Sequence, residues 1–240
     1  MGQKIRPTGF RVGVMTGWQS EWFASKKDFS DLLVEDQKIR TFIKKTYRTS
    51  KKNKLQGISK IKIERTREKV IVIIYSSRVG VIIGQKGVEI ENLTKALEDL
   101  THRHIEIKTM EVNRPEIDPQ LVAEDIAEQL EKRASFRRTM KQAIQRAMEN
   151  GAKGVKLQLA GRLGGAEMAR CEIGMEGSIP LSTLRTKVEY GFAEASTAQG
   201  NIGIKVWINN GDYLNPEENT DAPNAQTSKV SKKPARQGKR

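Results

Sequence analysis

The sequence predicts an α+β protein in two folded units, and three observations carry that prediction. Apolar residues recur at a period of two in short stretches and at three to four in longer ones, so strands and helices are interleaved. Asn113-Arg114-Pro115 with Asp118-Pro119 interrupts regular structure near the middle, because proline lacks a donor and biases its predecessor away from helix. Beyond that break the pattern becomes two helices followed by four short strands.

Residues 1–34 form a basic lead segment, with glycines and tryptophans and no clear period. A helix is predicted from about Glu35, with Ile39, Phe42, Ile43 and Tyr47 on one side. KTYRTSKKNK, Lys45 to Lys54, reads as a cationic loop. Ile61 and Ile63 alternate with Lys60, Lys62 and Glu64, which predicts a half-buried strand. VIVII, Val70 to Ile74, is apolar at every position and predicts a central strand. A glycine turn at Gly84–Gly87 then opens a helix whose inward face is Ile90, Leu93, Leu97 and Leu100. Ile105 and Ile107 mark a third strand and complete a unit spanning 35–112.

The second unit spans 113–210. Asp118 is placed to cap a helix and Pro119 to begin it, with Val122, Ile126 and Leu130 facing inward. A second helix runs from about Ser135 to Asn150 and Gly151 ends it. Four alternating strands follow: Val155/Leu157/Leu159, Ala169/Cys171/Ile173/Met175, Val188/Tyr190/Phe192 and Ile202/Ile204/Val206/Ile208. The last two flank ASTAQGN and predict a hairpin. In this pattern Cys171 is a small core residue. Residues 211–240 turn polar, acidic first and then basic, the composition of a disordered tail.

The charge balance narrows the function. Against 29 Asp and Glu stand 43 Lys and Arg, a net +14, which favours a polyanionic partner, nucleic acid or an anionic membrane. A membrane is disfavoured: no apolar run approaches the ~18 residues of a span, the N-terminus has no secretory apolar centre, and Arg6 stands where a myristoylation signal needs Ser or Thr. The single cysteine excludes an internal disulfide and fits a reducing compartment. His102 and His104 have no metal-ligand spacing, and the common hydrolase and metalloprotease motifs are absent. The expectation is a cytoplasmic nucleic-acid binder with no cofactor, metal or small-molecule substrate, and no catalysis.

Two stretches carry the binding chemistry. In VGVIIGQKGVEIENL, Gly84 and Gly87 bracket Gln85 and Lys86 after an apolar lead-in and before an amphipathic helix. Five glycine pairs in the chain share this spacing, and only this one has that context. Glycines let a sugar-phosphate chain approach the backbone, the helix start offers free N–H groups, and Lys86 adds a cation. This is the arrangement of the KH module, whose GXXG loop clamps about four nucleotides. A mononucleotide loop is excluded because neither G-x-x-x-x-G-K-[ST] nor G-x-G-x-x-G occurs. In LEKRASFRRTMKQAIQRAM, Arg133, Arg137 and Lys141 fall on one helical stripe with Arg138 beside it. No acidic residue lies between Arg133 and Arg146, so intrahelical pairs cannot neutralise the stripe. Phe136, Met140, Ala143 and Ala147 form the adjoining apolar face.

Blocks along nearly the whole chain resemble the family of bacterial small-subunit ribosomal protein three. They are MGQKIRPTGFRVG with Trp18 and Trp22-Phe23, VGVIIGQKG, the Arg137 helix, GAKGVKLQLAGRLGGAEMAR and IPLSTLRTKVEY. The resemblance implies a type II KH domain of order α-β-β-α-α-β, then a two-helix domain with a mainly antiparallel four-stranded sheet. It implies a component of the small-subunit head that binds small-subunit (16S) rRNA beside ribosomal proteins ten and fourteen, at the mouth of the mRNA channel. Arg137, Arg138 and Lys141 match the family's mRNA-facing positions, where structured mRNA is opened. Lys4, Arg6, Arg11, Arg162, Arg170 and Arg185 lie in blocks that face rRNA. Gln85 stands where the family commonly has a basic residue, which reduces phosphate attraction. The alternatives are a free-standing KH regulator of RNA and, last, a nuclease acting on damaged nucleic acid.

Overall fold

The computed structural model describes residues 4–49, 57–66 and 69–214. Apolar residues gather into two separate cores. One holds Ile39, Ile43, Ile63, Val72, Ile74, Ile82, Leu97 and Ile105, and the other Ile126, Ala147, Leu157, Leu159, Ile204 and Val206.

The first unit is built from α2 (Phe29–Thr49), β2 (Ile58–Arg65), β3 (Lys69–Ser76), α3 (Val79–Ile83), α4 (Val88–Thr101) and β4 (His104–Glu111), the α-β-β-α-α-β order of a type II KH domain. β3 is central, antiparallel to β2 and parallel to β4. Only its Val70, Val72 and Ile74 face is fully buried; Ile71 and Ile73 are half-buried. Three details differ from the sequence reading. The apolar lead-in VGVII is the short helix α3, in which Ile82 alone is fully buried. Leu100 is exposed, leaving Leu93 and Leu97 as the buried anchors of α4. The helix α2 begins at Phe29 rather than near Glu35, and it continues through the start of the expected cationic loop, whose remainder lies outside the described residues.

The lead segment is also structured. It forms α1 (Pro7–Arg11) and β1 (Ser20–Glu21), and β1 pairs in parallel with β2. Arg40 locks this edge, donating to the carbonyls of Ile61 and Gln19, the latter at 2.9 Å.

In the second unit, α5 (Pro119–Glu131) and α6 (Phe136–Glu149) cover one face of the antiparallel sheet β6-β5-β8-β7. Its strands are β5 (Gly154–Gly161), β6 (Arg170–Gly177), β7 (Thr186–Thr197) and β8 (Gly200–Asp212). β8 therefore runs two residues into the expected tail, and residues 215–240 lie outside the described residues. The predicted cap is present: Asp118 Oδ1 accepts from the backbone N–H groups of Gln120 and Leu121 at 2.9 and 3.2 Å. Its second oxygen accepts from Ser59 of β2, so one carboxylate starts α5 and ties the two units together. The helix sits hard on the sheet at Gly191, where a Cβ would lie 2.1 Å from the Pro119 carbonyl oxygen.

Candidate nucleic-acid interface

The glycine loop has the backbone its sequence implies. Gly84, Lys86 and Gly87 have φ of +73°, +55° and +82°, a left-handed bend available to glycine at no steric cost but strained at lysine. A Cβ at Gly84 would stand 2.4 Å from Glu89 Cγ, so the position also needs its small size. Lys86 is exposed, without an ion pair among the described residues. Electrostatically the loop is weak. Gln85 is neutral, and Glu89 and Glu91 occupy the first turn of α4, where they complement the helix dipole themselves. The loop can thus admit a ribose-phosphate chain by close approach more than by charge.

Charge is concentrated on α6. Arg137, Arg138 and Lys141 are exposed and pair with no carboxylate among the described residues. Nearby cations behave differently: Lys132 reaches Glu128 at 2.6 Å and Arg146 reaches Asp125 at 3.9 Å. Thr139, Ile144 and Ala147 are the buried anchors of α6, with Phe136, Met140 and Ala143 packed partly against the core. Arg133 does not share the helical stripe. It sits in the turn between α5 and α6 with φ +63°, because the helix ends before Lys132 and restarts after Ser135. Arg137 lies 5.6 Å from the centroid of the Phe136 ring and Arg170, at the start of β6, 5.4 Å from it. One aromatic ring therefore brings two cations from distant parts of the sequence together, a neighbourhood no spacing in the sequence reveals. Between α6 and β6 runs an open groove of about 760 Å³, with Arg137, Arg138 and Lys141 along it and Met140, Ile144 and Gly174 lining its floor.

The remaining arginines divide by partner. Lys4 and Arg6 are exposed, and Arg6 lies 5.2 Å from the Tyr190 ring centroid. Arg162 is exposed but braced by the carbonyls of Ala166 and Gln199 at 2.9 and 3.1 Å. Arg170 and Arg185 are exposed with carboxylates at 3.8 Å (Glu172) and 3.4 Å (Asp212). Arg11 must be corrected. It is only 1% exposed, and its guanidinium donates to the carbonyls of Thr186 and Thr183 at 2.8 Å and to those of Pro7, Pro180 and Leu181 at 3.3 Å. Burial pulls its pKa below the ordinary arginine value, opposed by Tyr213. Buried and bound to five backbone carbonyls, Arg11 organises the protein interior and is not a surface cation.

Cys171 is a second correction. It is exposed, as are Ile173 and Met175. Pairing of Leu157 with Gly174 puts the glycine beneath α6 and turns the apolar residues of β6 to the open side.

The KH-domain family profile matches residues 38–117. The fold of the first unit and its glycine loop are those of a KH-domain RNA-binding protein. A second profile, ribosomal protein S3 C-terminal domain, matches residues 126–208. Small ribosomal subunit protein uS3 of Rhodopirellula baltica is 58% identical over the full length of both chains, and that of Alkaliphilus metalliredigens 48% identical over the full length of both. That of Desulforudis audaxviator is 52% identical over 89% of this chain and 95% of its own. The chain belongs to the uS3 family, a family of ribosomal proteins and not of enzymes.

Proposed function

We propose that the chain is a structural component of the small ribosomal subunit, bound to 16S rRNA in the subunit head beside ribosomal proteins ten and fourteen, in the cytoplasm. At the mouth of the mRNA channel, Arg137, Arg138 and Lys141 grip the phosphates of incoming mRNA and favour strand separation without hydrolysing anything. Lys4, Arg6, Arg162, Arg170 and Arg185 are surface cations placed to contact rRNA. The observation that carries the reading is the set of three exposed α6 cations that, among the described residues, have no carboxylate to neutralise them. Such cations displace counterions from a nucleic acid backbone, and each single-strand phosphate neutralised contributes about −0.7 to the slope of log K against log salt. Replacing all three by alanine is expected to lower the slope for single-stranded RNA by about two units, and an unchanged slope would refute the phosphate role. Sedimentation of a lysate tests the setting: one copy per small subunit supports it, whereas a wholly soluble pool points to a free-standing KH regulator.

A further inference from the structure

Cations alone do not explain a preference for opened strands. Counterion release favours a duplex over a single strand, with slopes of about −0.9 per phosphate for B-form DNA and about −0.7 for single strands. A helix face carrying only Arg137, Arg138 and Lys141 would therefore hold paired nucleic acid at least as well as unpaired. Something beside the cations must discriminate.

The groove between α6 and β6 supplies it. Its cations stand beside an apolar floor of Met140 and Gly174 over the buried Ile144, with Gln142 also lining it, and among the described residues no carboxylate does so. The floor is low because residue 174 has no side chain: a Cβ there would come within 2.8 Å of Ile144 Cδ1 and 2.9 Å of Met140 Cε. A nucleobase in a helix is paired and stacked, with neither face available. Once released, its flat face can cover Met140 and the bare backbone at Gly174, the Gln142 amide can meet its polar edge, and its phosphate stays beside Arg137 and Lys141.

We infer that the α6–β6 groove is a binding site for an unpaired nucleobase, and that base capture, rather than phosphate attraction, gives the site its preference for single-stranded RNA. This rests on the reading that the α6 cations hold mRNA phosphates. Covering roughly 55 Å² of base face at about 25 cal/mol/Å² corresponds to about tenfold in affinity.

The test uses the full chain, at fixed salt, with fluorescence anisotropy on three RNAs carrying equal numbers of phosphates: an unstructured strand, the same strand made abasic, and a perfect duplex. The unaltered protein is expected to prefer the intact strand over both others. Gly174→Ala, which forces the two floor side chains outward, and Met140→Ala, which removes the half-buried side chain lining the groove, are expected to reduce that preference by about tenfold and leave the salt slope unchanged. Thermal melting shows that each variant is folded, and Met140→Ala decides should Gly174→Ala not fold. An unaltered preference in the folded variants, or no preference in the parent protein, overturns base capture. If the triple alanine variant loses its slope while the groove variants keep the preference, the phosphate grip stands and the groove inference alone is lost. If the triple alanine variant keeps its slope, the reading beneath it is lost as well.

Discussion

A basic side chain attracts RNA most strongly when its charge is left over once the fold has used what it needs. Arg65 is 5% exposed at its side chain and meets Glu35 at 3.0 Å; its Nε also donates to Asp36 at 2.9 Å, while Trp22 Nε1 donates to the other Asp36 oxygen at 2.8 Å. Arg40 holds β1 to β2, and Arg11 holds the carbonyls of residues 180–186. Among the described residues, Arg137, Arg138 and Lys141 hold nothing of the sort. Replacing Arg11 by methionine keeps the apolar stem but removes the donors from buried carbonyls. The expected loss is about 3 kcal/mol of unfolding free energy, read as a lower urea midpoint, with the salt slope for RNA unchanged. The chain's excess of cations was legible from composition, and the α6 group from its lack of interleaved acids. The internal duty of Arg11 was not, since its partners lie some 170 positions away and are backbone carbonyls, which leave no trace in residue identity.

Period and pattern predicted most elements, and they failed where two arrangements have the same pattern. β6 alternates apolar and polar residues cleanly, yet alternation does not say which face is inward. A shift of one residue reverses every side chain, and the space beneath α6 fits Gly174 rather than Ile173. The start of α2 was missed for a related reason: Phe29, Leu33 and Val34 are exposed, so the first turns carry no inward apolar stripe. The far end of α2 offers a pH-dependent check. Burial, aided by nearby Glu89, pushes the Tyr47 hydroxyl up to about 12. The unfolded chain releases that proton near its ordinary pKa of about 10, so the unfolded state binds fewer protons above that pH and stability falls from there until about 12. The drop attributable to this group is on the order of 2–3 kcal/mol. Tyr47→Phe should flatten that part of the stability–pH curve relative to the parent protein, and an identical curve would remove Tyr47 as the cause. In the same core, Leu97→Ala should cost about 2–5 kcal/mol in chemical denaturation, because Leu97 is fully buried.

At the scale of the molecule, the lead segment joins the two units. Residues 7–16 lie on the second unit, through Arg11 and through Thr16 Oγ1, 3.1 Å from the Tyr213 hydroxyl, while residues 20–21 extend the first unit's sheet. Ser59 and Asp118 make a second link. A chain shortened to begin at Gly17 should retain hydrogen-exchange protection in β2 and β3 and lose it around Thr186, whose neighbourhood Arg11 secures. Equal protection in both forms would show that the segment lies on the second unit without holding it. The same attachment sets an order in time. During synthesis residue 11 emerges long before residues 180–186 exist, so its guanidinium stays in water through most of elongation. Residue 11 settles only after residues 180–186 have been added, and a nascent chain cut short before β7 has nowhere to bury it.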